Sequence, residues 1–155
     1  MAKVDGKLVG LIGGAAASLL IGTVAMFEGK SNEPYRDIIG VYTVCYGETN
    51  VQMRRYTDAE CRAMLSDSLA GYVQPVLAIN PELRGHDNQI VAATSLAYNI
   101  GVTNYRRSSV ARKFRSGDWK GACDAILAWR FAAGREVRGL ARRRAAERDL
   151  CLKGL

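Results

Sequence analysis

Apolar and charged positions are unevenly distributed along this chain. Leu8 to Phe27 runs for twenty residues without a charged side chain. At about 1.5 Å rise per residue, a helix over them covers the roughly 30 Å hydrocarbon core of a bilayer. Only ten of the twenty are large and apolar. Gly10, Gly13, Gly14 and Gly22, four alanines, Ser18 and Thr23 supply the rest. Glycine weakens a helix by about 1 kcal/mol against alanine, and small polar residues gain little from lipid. Such a span enters a bilayer weakly and leaves it easily. Lys3, Lys7 and the α-amino group precede it against Asp5, a bias that places the remainder of the chain outside the cytoplasm. By pattern alone four readings stay open. The segment is a signal peptide cleaved near Thr23-Val24-Ala25, a permanent anchor paired through Gly10 and Gly14, a releasable anchor, or a buried helix of a soluble body.

Beyond residue 28 the pattern shortens and becomes mixed. Tyr35 to Tyr46 is rich in β-branched and aromatic residues with Gly40 near its middle, which predicts a small hairpin or ribbon. Thr57-Asp58-Ala59-Glu60 is a capping box that opens a helix to about Ala70 or beyond. Pro75 and Pro81 predict breaks. Asp87 to Ile100 carries apolar residues at helical spacing and stops at Gly101. A short basic helix is expected over Ser109 to Arg115. Asp118 caps another that runs through Trp129 to Ala133 and ends at Gly134, and Leu140 to Leu152 forms the last. The fold class is therefore α+β, mainly helical, with one small sheet near the start.

With 155 residues and 48% apolar positions, the chain can fold as one body with a real core. Its charge of +7 favours an anionic partner: nucleic acid, a membrane surface or a cell-wall polymer. Arg106, Arg107, Arg112, Lys113, Arg115 and the Arg142–Arg144 run suggest nucleic acid. Thin aromatic interleaving and an outward-facing chain argue against it, so no nucleic-acid partner is expected. A permanently anchored envelope protein is a third possibility. Four cysteines without a C-x-x-C pair, and a single histidine, His86, argue against a metal site. No cofactor is expected. Widely spaced cysteines in an exported chain fit two disulfides, and four allow three pairings.

Candidate chemistry starts where the apolar segment ends, in Glu28-Gly-Lys-Ser-Asn-Glu-Pro-Tyr-Arg-Asp37-Ile-Ile-Gly-Val-Tyr-Thr43. Glycoside hydrolysis needs one carboxylic acid to protonate the leaving oxygen and a second carboxylate to activate water or bind sugar. Two acids nine residues apart are common, and taken alone would be solvated surface. The interval Glu28, Asp37, Thr43, with Gly29, Tyr35 and Gly40 around it, resembles the catalytic block of the phage-type lysozymes, glycoside hydrolase family 24. Ala97-Tyr-Asn-Ile-Gly101, Gly117-Asp118 with Gly121-Ala-Cys-Asp124 and Trp129, and Gly139-Leu140 with Arg143, Arg144, Glu147 and Cys151 are similar to later blocks. With the weak span, the whole chain resembles the signal-anchor-release endolysins of lambdoid-like phages.

That resemblance implies a lysozyme-like fold with a cleft between the hairpin and a helical C-terminal lobe. It divides the chain into an uncleaved anchor over residues 1–27 and a catalytic domain over 28–155. It implies an inverting hydrolase that cuts the β-1,4 bond between N-acetylmuramic acid and N-acetylglucosamine. Glu28 would be the general acid, Asp37 would orient water and Thr43 would help hold it. Asn99, Arg143 and Arg144 are candidate substrate contacts. For Asn99 the rival is a helix-end cap, and for the arginines a solvated helix face. The partners implied are peptidoglycan and, transiently, the host inner membrane. The chain would be a monomer, inactive while tethered facing the periplasm and active once soluble there. Cys123 is expected to pair with Cys151, and Cys45 with Cys61. One departure is Glu48, where the family often has histidine after the glycine. It needs a basic or hydroxyl partner and should alter the pH profile.

Overall fold

Gly13 divides the apolar N-terminal segment in two. In the computed structural model, which describes residues 6–155, helix α1 spans Gly6–Ile12 and helix α2 spans Gly14–Glu28. Their axes turn by 115° at the break. Gly13 sits at φ 86 and ψ 164, a region only glycine visits without strain. The twenty-residue helix expected over 8–27 is therefore not continuous here, and no single helix among the described residues is long and apolar enough to cross a membrane. The two pieces together pass by length and composition. Their apolar side chains are spent on the protein's own core: Leu8, Ala16, Ala17, Leu20, Ile21 and Val24 are buried.

A hairpin follows. Strand β1, Ser31–Arg36, pairs antiparallel with β2, Tyr42–Cys45, with a register irregularity between Ser31 and Tyr35. The ribbon thus begins earlier than expected. Helix α3, Asp58–Ile79, opens with the capping box: Thr57 accepts from the Glu60 amide while Glu60 accepts from that of Thr57. Pro75 does not break it, contrary to expectation. Val73, Val76 and Leu77 are buried around the proline, and that burial outweighs the one backbone bond it removes. Pro81 does mark an end, opening the 3-10 turn Pro81–Leu83.

Helix α4, Asp87–Ile100, is buried along most of its length and packs against α2, α3 and the last helix. Short helices α5, Val102–Arg107, and α6, Ser109–Arg115, follow, the second capped by Ser108. Helix α7, Trp119–Ala125, is capped by Asp118 as expected but stops before Trp129. A 3-10 turn over Ile126–Ala128 leads into a second hairpin, β3 at Phe131–Ala132 and β4 at Arg135–Glu136. Its turn residues Ala133 and Gly134 both have positive φ, 53° and 78°. Two such residues between paired strands make the turn that matches strand twist. Alanine there hides the turn, since Asn-Gly or Asp-Gly is its usual signal. Helix α8, Arg138–Leu152, closes the chain.

Two disulfides lock this arrangement with the expected pairing. Cys45–Cys61 joins β2 to α3, and Cys123–Cys151 joins α7 to α8. The first lies in a small satellite core with Val44 and Tyr56, and the second in the main core.

Candidate active site

Helix α2 delivers Glu28 as its last residue, and Gly29 at φ 70 turns the chain away towards the hairpin. The carboxyl faces an open cleft of about 450 Å³, whose lining includes Glu28, Asn99, Leu140, Arg142 and Arg143. Burial of α2 against α4 sets how far Glu28 projects. The core under the helix thus places the acid.

Arg143 holds Glu28 from across the cleft. Its Nη1 donates to Glu28 Oε2 at 2.6 Å, and its guanidinium lies 5.4 Å from the Phe27 ring centre. Arg143 is itself held from behind. Its Nε donates to Glu147 Oε2 at 3.3 Å, and the Ser95 hydroxyl donates to that same oxygen at 2.5 Å. Arg144 is wholly buried one residue on. Its Nη2 donates to Asn99 Oδ1 at 2.7 Å, and its Nε lies 2.9 Å from Glu147 Oε1 as an ion pair. Burial pushes the Glu147 carboxyl up, while Arg144, the Ser95 hydroxyl and Arg143 pull it down. With two guanidiniums in contact, we take Glu147 as the anion of the cluster.

These contacts exclude the two rival readings of these residues. Neither arginine lies on a solvated helix face: Arg143 is 4% exposed and Arg144 not at all. Arg144 has no surface to offer substrate and reaches the cleft only through Asn99. The Asn99 oxygen meets Arg144 rather than capping α4, which ends on the Gly101 amide bonding to Ala97 O. Burial also removes both arginines from the basic run that suggested nucleic acid. Ser95 was not singled out from sequence, and the buried role of Glu147 was not anticipated. The signal was spacing: Arg143, Arg144 and Glu147 sit four and three residues apart on α8, and Ser95 and Asn99 share a face of α4.

The hairpin carries the other candidates, and neither Asp37 nor Thr43 is among the residues lining that cleft. Asp37 follows β1. Its Oδ1 accepts from the backbone amides of Ile39 and Val41 at 3.0 and 2.9 Å, which closes the tip. Thr43 is buried on β2 and donates to Val41 O at 3.0 Å. Glu48 is bridged through its backbone to Val44, next to Thr43. Its carboxyl takes the hydroxyl partner it needs, accepting from Ser68 Oγ at 3.2 Å. Burial raises its pKa above the ordinary carboxylate value, Ser68 lowers it and Asp67 raises it. Tyr98 lies half-buried between the two regions, stacked edge-on with Tyr72 at 5.0 Å. Desolvation, then the charges of Glu28 and Glu48, push its hydroxyl pKa up. No group of three or more His, Cys, Asp or Glu able to hold a metal occurs among the described residues.

The phage lysozyme family model matches residues 25–147, from the last turn of α2 to Glu147. The chain belongs to the phage lysozyme family. It is 41% identical to the SAR-endolysin of Bacteriophage PS119 over 99% of this chain and 92% of that protein. The active form of the P1 phage endolysin superposes with a TM-score of 0.79 at 27% identity, over 99% of this chain and 91% of that one. The secreted inactive form of the P1 endolysin superposes with 0.58 at 23% identity, over 91% and 96%. The activity class of the family is that of a lysozyme, a glycoside hydrolase.

Proposed function

We propose that this phage lysozyme is an endolysin that hydrolyses the β-1,4 bond between N-acetylmuramic acid and N-acetylglucosamine in peptidoglycan. The observation that carries the reading is Glu28, half-buried at a helix end, facing an open cleft and held by a fixed guanidinium. Glu28 donates its proton to the glycosidic oxygen. Asp37 orients the attacking water and Thr43 helps hold it. Inversion requires the two carboxyls to stand about 6.5–9.5 Å apart with water between them. Arg143 and Asn99 contact the sugar, and Arg144 acts on it only by positioning Asn99.

The reading includes export with an uncleaved anchor and a monomer that becomes active on release. Glu28 follows Phe27 directly. With residues 8–27 in a bilayer, Glu28 lies at the membrane surface and cannot also occupy the cleft, because general acid catalysis needs hydrogen-bond reach. Released, the segment becomes α1 and α2 and fills the core. Support comes from the better superposition on the active than on the inactive P1 endolysin. The two disulfides fit a periplasmic destination.

Glu28→Gln tests the chemistry. It keeps the shape and removes the proton. Clearing of permeabilised Gram-negative cells should fall by at least about 100-fold, in line with loss of a general acid. The circular dichroism and melting temperature should stay near the parent's. Near-normal clearing by the folded variant would refute the assignment.

A further inference from the structure

The tip of the first hairpin is apolar and open to solvent among the described residues. Ile38 is 101% exposed and Ile39 79%, with Val41 and Tyr42 also open to solvent. Isolated exposed apolar side chains are ordinary, but four in one turn form a patch that soluble proteins normally cover. We propose that this tip is a lipid-surface wedge, in which Ile38 and Ile39 enter the interface of an anionic bilayer. The proposal rests on the reading that residues 8–27 are released from that same membrane.

Three observations favour lipid over another occupant. The first is the chemistry of the rim. Arg36 stands beside the tip with its guanidinium 4.8 Å from the Tyr42 ring, and Tyr35 is exposed on the same strand. Aliphatic residues at a point, with tyrosine and arginine behind them, match the depth profile of a bilayer interface. The second is charge. The one carboxylate at the tip, Asp37, is turned inward onto the amides of Ile39 and Val41, so it does not face outward with the isoleucines. Behind it Glu33 is paired with Arg55 and Asp58 with Lys30, and the chain carries +7. Anionic headgroups therefore meet little repulsion. The third is topology. Ile38 is eleven residues past Phe27, so in the tethered chain it stays within roughly 40 Å of the membrane at full extension. The wedge has its surface at hand from the moment of export.

The consequence is a second attachment that engages the hairpin carrying Asp37 and Thr43. A chain bound at both Leu8–Phe27 and Ile38–Ile39 keeps that hairpin turned towards lipid rather than glycan. A released molecule could also linger on the inner membrane surface.

The test uses the full-length protein and vesicles of phosphatidylethanolamine and phosphatidylglycerol. Flotation of wild type is compared with Ile38→Asp/Ile39→Asp, and the melting temperature of the double variant checks its fold. Vesicle binding should fall at least tenfold, and replacing phosphatidylglycerol with phosphatidylcholine should weaken the wild type. An uncharged counterpart, Ile38→Ser/Ile39→Ser, should lose vesicle binding as well while clearing membrane-free sacculi, because it adds no charge beside Asp37. Because residues 8–27 also bind lipid, Ile39→Trp supplies a local reporter. Its added emission should shift to the blue on vesicles and be quenched by brominated acyl chains. Unchanged flotation of the double variant, or an Ile39→Trp signal indifferent to lipid, overturns the wedge. Loss of binding and clearing on sacculi with flotation intact makes the tip a sugar contact instead. Concentration-dependent dimers abolished by the aspartates would make it a self-association surface. Failure of wild type to clear sacculi would refute the muramidase reading without touching the flotation result.

Discussion

Glu147 is the residue on which the polar side of the cleft depends. It lies buried between Arg143 and Arg144 with Ser95 on one of its oxygens. Glu147→Gln leaves the buried Arg144 without its anion and Arg143 with Glu28 alone, and removing one partner of a buried ion pair costs about 3–5 kcal/mol. The variant should melt well below the parent. Its residual folded fraction should clear cells poorly, because Arg143 loses the group that aims it at Glu28. Glu48 is the opposite case. Burial raises its carboxyl pKa above the ordinary 4.5, so the folded state holds the proton more tightly than the unfolded chain. Its favourable contribution is complete below the ordinary value and is lost as pH rises through the raised one. Glu48→Gln should therefore be at least as stable as the parent near neutral pH, and the two should converge in acid. Thermal melts across that range read the difference directly. A parent more stable than Glu48→Gln at neutral pH would show that Ser68 outweighs burial.

At the scale of elements, the break at Gly13 decides between two uses of one segment. A β-carbon there would meet no atom within 4 Å, so the obstacle to substitution is the backbone alone. Gly13→Ala should destabilise the folded-in arrangement by about 1–3 kcal/mol, the cost of that backbone region for a non-glycine residue. In a continuous helix the same change is favourable by about 1 kcal/mol. Both effects push towards the membrane. The variant should melt earlier when soluble and a larger share should fractionate with membranes. Equal partition of the two proteins would mean that the bend does not limit release. The second hairpin shows how an element escapes pattern reading. Its strands are two residues each and its turn is Ala133-Gly134, so neither periodicity nor turn chemistry marks it.

For the whole molecule, the two disulfides close loops that tie β2 to α3 and α7 to α8. Cys123–Cys151 encloses a separation of 28 residues, for which loop entropy gives about 3–4 kcal/mol. Removing it with Cys123→Ala/Cys151→Ala should lower the unfolding free energy by roughly that amount, measured by denaturant titration. The α7–α8 contact would loosen most, since the bridge joins those helices. Core continuity spreads the effect further. Helix α8 carries Arg143, and α4 packs against both α8 and α2, so the cleft should feel a change made on its far side.

Much of this was legible in the chain itself, for local reasons. The capping box at Thr57, the Asp118 cap, the stop at Gly101 and the apolar spacing of Asp87–Ile100 depend on neighbours within a few residues, and all stand in the structure. The interval from Glu28 through Asp37 to Thr43 carried the family, and the weak apolar segment was evident from its glycines. What neighbours cannot specify came only with the tertiary structure. Pro75 stays helical because the core on either side outweighs one lost bond. Arg143 and Arg144 stand open in the sequence between substrate contacts and a solvated face, and only the packing of α4 on α8 buries them, with Ser95 and Asn99 supplied from α4. Whether residues 8–27 span or fold also lies beyond their own pattern. The same side chains satisfy lipid or a protein core, and the choice recorded here depends on α3 and α4 offering an apolar bed into which Leu8, Leu20 and Val24 fit.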